Sequence, residues 1–308
     1  MPNLWTHILF CEEIMESVNT ENSQEEWNTV QPFLNLGAQG PDPFFYHHFL
    51  PWRKPSAVNE LGSVLHYYHC GPFLMSLIDK AIGVSTATKA YILGFVTHHI
   101  LDRNTHPFIH YFSGYEKNKH QVLEVTIDTI MMERYRHLQT WKTPVYKEIN
   151  VGASIPQEIE DMIDEAISIY YPDEHNRTEK HYVQAAYKDF KQALRILYDP
   201  YGWKNILLGS TINPFSHQPI TSNHDYLNEA REQWRHSATY ETQHESFIDL
   251  YDQARAEGVE IINELLHYWK EPTEDKRHYL ETLLANISYD TGKPVEEDWS
   301  NQYSNPVV

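Results

Sequence analysis

Apolar residues recur at helical spacing along most of the chain and divide it into a series of amphipathic segments. Ile8, Leu9, Cys11, Ile14, Met15 and Val18 form one stripe, which predicts a helix over residues 5–18. Ser23, an N-cap residue type with Glu26 three positions on, predicts a second helix to about Leu36. In GAQGPDPFFYHHFLPW, Pro41 and Pro43 flank Asp42, so a non-helical loop is expected, buried by Phe44, Phe45 and Tyr46, with His47 and His48 as packing or surface residues. Residues 57–80 read as a strongly apolar helix bent near Gly71 and Pro72. Gly83 is a stop, and Ser85 or Thr86 caps a helix over 86–101 with Tyr91, Phe95, His98 and Asp102 on one face. Pro107 either ends that helix or opens the next, which leaves His106 at a break. A further helix follows over 118–137, its face kept apolar by Ile127, Ile130 and Met131.

Beyond residue 150 the pattern predicts helices over 155–170, 178–198, 223–236, 241–268 and 272–288, with Ser222 and Asp225 capping the third. The proline-containing stretch 211–223 reads as a loop able to arch over a neighbouring cleft and narrow access to it. No internal repeat, long heptad pattern or glycine-rich phosphate loop occurs. The expected architecture is therefore all-α: a helical core over 1–150, a helical C-terminal extension over 151–290 packed on it, and a poorly ordered tail over 291–308.

Charge and cysteine content narrow the setting. With 24 Lys and Arg against 43 Asp and Glu, the net charge of −19 opposes binding to double-stranded nucleic acid or an anionic membrane unless bound cations reverse the local field. A solvated acidic surface accounts for most of that charge. Cys11 and Cys70 make no disulfide framework. The opening MPNLWTHILFCEEIMES has no basic segment before its short apolar run, and no apolar stretch reaches membrane-spanning length. A cytoplasmic protein is expected, and the sequence carries no signal of its oligomeric state.

The chemistry concentrates in residues 91–128. His98 and Asp102 are four apart, as are His120 and Glu124, so each pair shares a helix face and can aim two ligand atoms at one point. His106 extends the first stripe by one turn. One such pair alone is ordinarily a surface pair, but two in neighbouring apolar helices suit a catalytic zinc, which takes imidazole and carboxylate donors around an open position. Four other residues can join them. Asp42 is held between prolines; His66, beside the small Gly62, is preferred over His69; His7 lies on the first turn of the first helix; Asp128 stands one turn behind Glu124 as a carboxylate able to orient a ligand.

Taken in order, WTHILF, GAQGPDPFF, LGSVLH, HHILDRNTHP and HQVLE resemble the zinc-dependent phospholipase C family, whose all-helical fold is shared with fungal single-strand nucleases. The resemblance covers about the first 130 residues. It implies a cluster of two or three Zn2+ ions. Asp42, His66, His98 and Asp102 would hold one, and His106, His120 and Glu124 a second. A third would share Asp102 and take His7. Two departures stand out. Secreted members complete the third site with the amino group of a mature N-terminal Trp, whereas Trp5 here is internal and the chain begins with Met1 and Pro2. The spacing from Asp102 to His106 is also shorter than in the secreted enzymes, which calls for a tight helix break at Pro107.

The resemblance implies a metal-dependent phosphoester hydrolase. A zinc-activated hydroxide at a multinuclear site would attack phosphorus, with Asp42 as general base. The partner would be a phosphoester small molecule or lipid head group; Phe44, Phe45, Tyr46, Tyr67 and Tyr68 could meet an acyl chain, a cationic head group or a base. The alternatives are a nuclease-type phosphodiesterase, disfavoured by the acidic charge, and a non-catalytic helical scaffold with structural zinc. A histidine-aspartate phosphohydrolase is excluded, because Ile100 and Leu101 separate His99 from Asp102.

Overall fold

The computed structural model describes residues 3–18, 24–50, 52–209 and 212–308. The expected cap at Ser23 lies outside them. The first helix, α1 (Leu4–Ser17), is capped by Asn3 and buries nearly its whole N-terminal half. The second expected helix is two, α2 (Gln24–Thr29) and α3 (Gln31–Gly37), because Val30 leaves helical geometry and Pro32 occupies the first turn of α3, where no N–H is needed. The same reasoning corrects the loop at Asp42. Asp42–Tyr46 is a 3-10 turn with Pro43 in its first positions, so proline starts the turn instead of preventing it.

Residues 57–80 form α4 (Ala57–Tyr67) and α5 (Cys70–Lys80). The break falls at His69, whose backbone is left-handed (φ 52°), rather than at Pro72, which sits in the first turn of α5. His69 is exposed and plays no part behind the site.

The organising element is α6 (Thr86–Ser113), 28 residues capped by Ser85 and continuous through Pro107. The expected break is absent. Pro107 withdraws one hydrogen bond from the carbonyl of Arg103, and the backbone of Gly292 lies against that oxygen: a Cβ on Gly292 (φ +62°) would fall 2.2 Å from it. Arg103 itself is tied outward, donating to Leu284 O at 2.6 Å and pairing with Glu257. The remaining elements are α7 (Lys119–Arg136), α8 (Gln157–Tyr170), α9 (Pro172–His175), α10 (Tyr182–Leu197), α11 (Trp203–Leu208), α12 (Phe247–Lys270) and α13 (Glu274–Leu284). Helices α1, α3, α7 and α12 pack around α6. One apolar core runs from Leu4 to Leu284 and joins both halves of the chain.

Two expectations for the second half are corrected. Residues 223–236 are not a helix. Asp225 and Asn228 take the N–H groups of Ala230 and Glu232 with their side chains, and Trp234–Arg235 pairs antiparallel with Thr242–Gln243. The segment from Thr291 does not stand free. Gln302 N donates to Ser237 O, Asn305 N to Tyr111 O and Val307 N to Phe112 O, which lays it along the end of α6. Among the described residues no helix is long and apolar enough to cross a membrane.

Candidate metal centre

Because α6 is unbroken, His98, Asp102, His106 and His110 stand one turn apart on a single stripe. Helix α3 crosses α6 closely enough to bring Ala38 O within 2.9 Å of His98 Nδ1. Glycines permit that crossing: a Cβ on Gly94 would lie 2.3 Å from Leu34 O, and one on Gly37 would lie 2.0 Å from Tyr91 O.

The first group gathers around Asp102. Its Oδ2 lies 3.0 Å from His98 Nε2 and 3.9 Å from His66 Nε2, and its Oδ1 lies 3.3 Å from His7 Nε2. The carboxylate therefore faces two sides, as a bridging ligand would. Asp42 Oδ1 completes the first side at 3.7 Å from His66 Nε2 and 3.9 Å from His98 Nε2. The rings of His7 and His98 stack at 4.1 Å. In the second group His120 Nε2 meets Glu124 Oε1 at 2.5 Å, and His106 lies within ligand distance of both. The structure thus places all eight residues singled out from the sequence in candidate ligand sets, two that share His98 and a separate one of His106, His120 and Glu124.

Three of the imidazoles are oriented in the same way. His66, His98 and His106 donate Nδ1–H to backbone carbonyls of Gly62 (2.5 Å), Ala38 (2.9 Å) and Tyr289 (2.9 Å), which turns each Nε2 lone pair toward the cluster. The Nε2 atoms of His98 and His106, both carboxylate oxygens of Asp102, Oδ1 of Asp42 and both nitrogens of His7 are buried without a hydrogen-bond partner. Polar atoms left this way cost about 1–3 kcal/mol each, unless a ligand satisfies them. Imidazole and carboxylate donors converging from several helices fit zinc.

Burial decides the protonation of the metal-free cluster. It holds His7 and His66 down at about 4, with the neighbouring His98 adding to the effect on His7. It likewise lowers His106 and His120. Burial pushes Asp42 up to about 7. It also opposes ionisation of Asp102, but His98, His106 and His7 outweigh it and hold that carboxyl well below its usual range; burial is likewise outweighed at His98, which Asp102 and Asp42 raise. His7 and His66 take up protons in the unfolded chain below pH 6.5 but not in the folded one until about 4, so their contribution falls as pH drops through that window, and His106 and His120 act in the same direction. Asp42 acts in the opposite sense between about 4 and 7. The histidines outnumber it, so chelator-stripped protein is expected to melt at lower temperature at pH 5 than at pH 7.5, with His7 and His66 each contributing on the order of 3 kcal/mol at full effect. A melting temperature rising toward pH 5 would contradict neutral burial of these rings.

Asp128 is buried, and its hydrogen bonds go to α1 and His217 and not to the ligand pair one turn before it. Its carboxylate accepts from Trp5 N (3.0 Å), Thr6 N (2.9 Å) and Thr6 Oγ1 (2.6 Å), pinning the first turn of α1 and so His7 against α7. His217 Nε2 donates to it as well (3.1 Å), which ties in the loop over residues 212–223.

Two residues of the site were not anticipated. His110 is one more rung of the α6 stripe, so its i+4 spacing from His106 was a usable signal. Asp290 has no such signal: it arrives from 180 residues away, 2.7 Å from His110 Nε2 and 3.6 Å from His106 Nδ1. It belongs to a stretch threaded among the histidines, with Ile287 O accepting from His99 and Tyr289 N donating to His66 O at 3.1 Å.

The cluster forms one wall of a cavity of about 850 Å³. Asp42, His66, His106, His120, Glu124 and Asp290 line it, and Phe45, Tyr46, Phe49, Leu50, Trp52, Ile196, Leu197, Leu208, Ile212 and Phe215 make the remainder largely apolar. Of the five aromatics expected at the site, Phe45, Tyr46 and Tyr67 line the cavity, whereas Phe44 packs toward Tyr182 and Tyr68 points outward.

The sequence profile of the family described as zinc dependent phospholipase C matches residues 6–182, well past the 130 residues over which the motifs are legible. No curated protein and no solved structure matches the chain.

Proposed function

Because the chain belongs to the zinc-dependent phospholipase C family, we propose that it hydrolyses a phosphodiester bearing an apolar group, a phospholipid or a close relative of one. The observation that carries the reading is a preoriented ligand set, several of its buried donor atoms without hydrogen-bond partners, opening onto a largely apolar cavity. In this reading Asp42, His66, His98 and Asp102 would hold one zinc, His106, His120 and Glu124 a second, and Asp102 with His7 a third. Bound zinc would supply an acidified water and offset charge on the phosphoryl oxygens. The chain's own groups do the rest. Asp42, whose Oδ1 faces His66 and His98, would use its other oxygen as the general base. Phe49, Leu50, Ile196 and Leu197 seat the apolar portion and exclude water from it.

The cavity wall favours lipid over nucleic acid. Among its lining residues there is no Lys or Arg to follow a polyphosphate backbone. The compartment is proposed to be reducing, on the ground that Cys11 and Cys70 are both free and buried. The test is initial rates of the zinc-loaded protein on phosphatidylcholine in mixed micelles, bis-p-nitrophenyl phosphate and a single-stranded oligonucleotide. The micellar lipid is expected to turn over fastest. Cleavage of the oligonucleotide without lipid turnover would hand the site to the nuclease reading, and no turnover of any of the three by fully loaded protein would favour the scaffold.

A further inference from the structure

The cleft holds more donors than the two sets above use. His106, His110 and Asp290 form a set of their own, with ligand atoms all within 4.8 Å of one another. His110 Nε2 meets Asp290 Oδ1 in a 2.7 Å hydrogen bond, much as His98 Nε2 meets Asp102 Oδ2 at 3.0 Å, and a metal ion could take the place of the shared proton. His106 Nε2 is buried without a hydrogen-bond partner. Asp290 is itself aimed: Asn301 Nδ2 holds its Oδ2 at 2.7 Å, Asn301 in turn accepts from Ser237 Oγ at 2.6 Å, and Oδ1 faces the two imidazoles at the cavity wall, bonded to His110 Nε2.

We propose that Asp290, together with His110, ligates the metal that His106 anchors, so that the C-terminal segment closes the second metal position. The inference rests on the reading that the cleft binds zinc. With His120 and Glu124, the second position would then have three imidazoles and two carboxylates, the nitrogen and oxygen donors that zinc takes. It also gives the uninterrupted α6 a purpose. The four-residue step from Asp102 to His106, repeated to His110, keeps both imidazoles on the ligand stripe, where a break at Pro107 would have turned His110 away. Asp290 lies beyond the residues that match the family, so this chain recruits a donor from a part of its own sequence outside the shared core.

The test uses full-length protein stripped with a chelator, titrated with Zn2+ by calorimetry and separately loaded with Co2+ for visible absorption. Asp290→Asn keeps the shape of the side chain, and His110→Gln probes the same position without touching the C-terminal segment. Both variants are expected to bind one equivalent at least about tenfold more weakly than wild type and to shift the cobalt bands, whereas Asp102→Ala weakens binding at the two positions that share Asp102. Wild-type stoichiometry, affinity and cobalt bands in both variants would overturn the proposal. Weakened binding with unchanged bands would also overturn it, by making Asp290 a positioning residue. Failure of the wild-type protein itself to take up metal would defeat the zinc reading beneath it.

Discussion

Asp102→Ala is expected to lower phosphodiester hydrolysis by at least about a thousandfold, equivalent to about 4 kcal/mol of transition-state stabilisation, with the helical fold retained. Asp102 is fully buried and its two oxygens face different histidines, Oδ2 toward His98 and His66 and Oδ1 toward His7. Among the described residues no other carboxylate reaches both sides. Asp42 approaches only His66 and His98. In the proposed centre, losing Asp102 would therefore weaken two metal positions at once, and it leaves the His98 imidazole without its nearest counter-charge. Rates on the micellar lipid, read beside far-ultraviolet circular dichroism, check this. Activity within about threefold of wild type in a folded variant, a barrier change under about 1 kcal/mol, would remove Asp102 from the centre of the site.

Gly94→Val is expected to cost about 3 kcal/mol of stability, the upper end of the usual range for overpacked cores, and to deplete bound zinc as well. The Cβ of any residue there would meet Leu34 O at 2.3 Å and Ala38 N at 2.5 Å, and these are backbone atoms that cannot swing away. Relief requires α3 to move off α6. That displaces Ala38 O, which fixes the tautomer and direction of His98, and it shifts the turn carrying Asp42. Thermal unfolding and zinc content measured on one preparation test the coupling. A wild-type melting temperature with full zinc would show that the crossing is slack and that its geometry does not position the ligands.

The parts of this molecule legible in the sequence are those written in short-range spacing. His98 with Asp102 and His120 with Glu124 are i,i+4 pairs, and periodicity located α1, α6 and α7 to within a few residues, apart from the C-terminal end of α6. Proline is the main source of difference, for two reasons. At Pro32, Pro43 and Pro72 it occupies a first turn, where the missing N–H costs nothing, and at Pro107 a distant backbone segment covers the exposed carbonyl. Local sequence cannot report that last compensation, because Gly292 is supplied from the other end of the chain. The same long-range placement hid Asp290, which carries no helical spacing to any other donor and fell at the edge of a segment whose composition resembles a loose tail. Residues 223–236 failed differently: Asp225 and Asn228 satisfy backbone N–H groups with their side chains, which defeats a helix that composition alone allows.

The central claim is a multinuclear zinc centre, and the most direct measurement is the metal content of wild-type protein purified without added metal, by inductively coupled plasma mass spectrometry. Two or three equivalents of zinc are predicted, lost to a chelator and restored by zinc alone. Less than one equivalent, unchanged after dialysis against zinc, would contradict the account and leave the buried histidines and carboxylates as the frame of a helical scaffold.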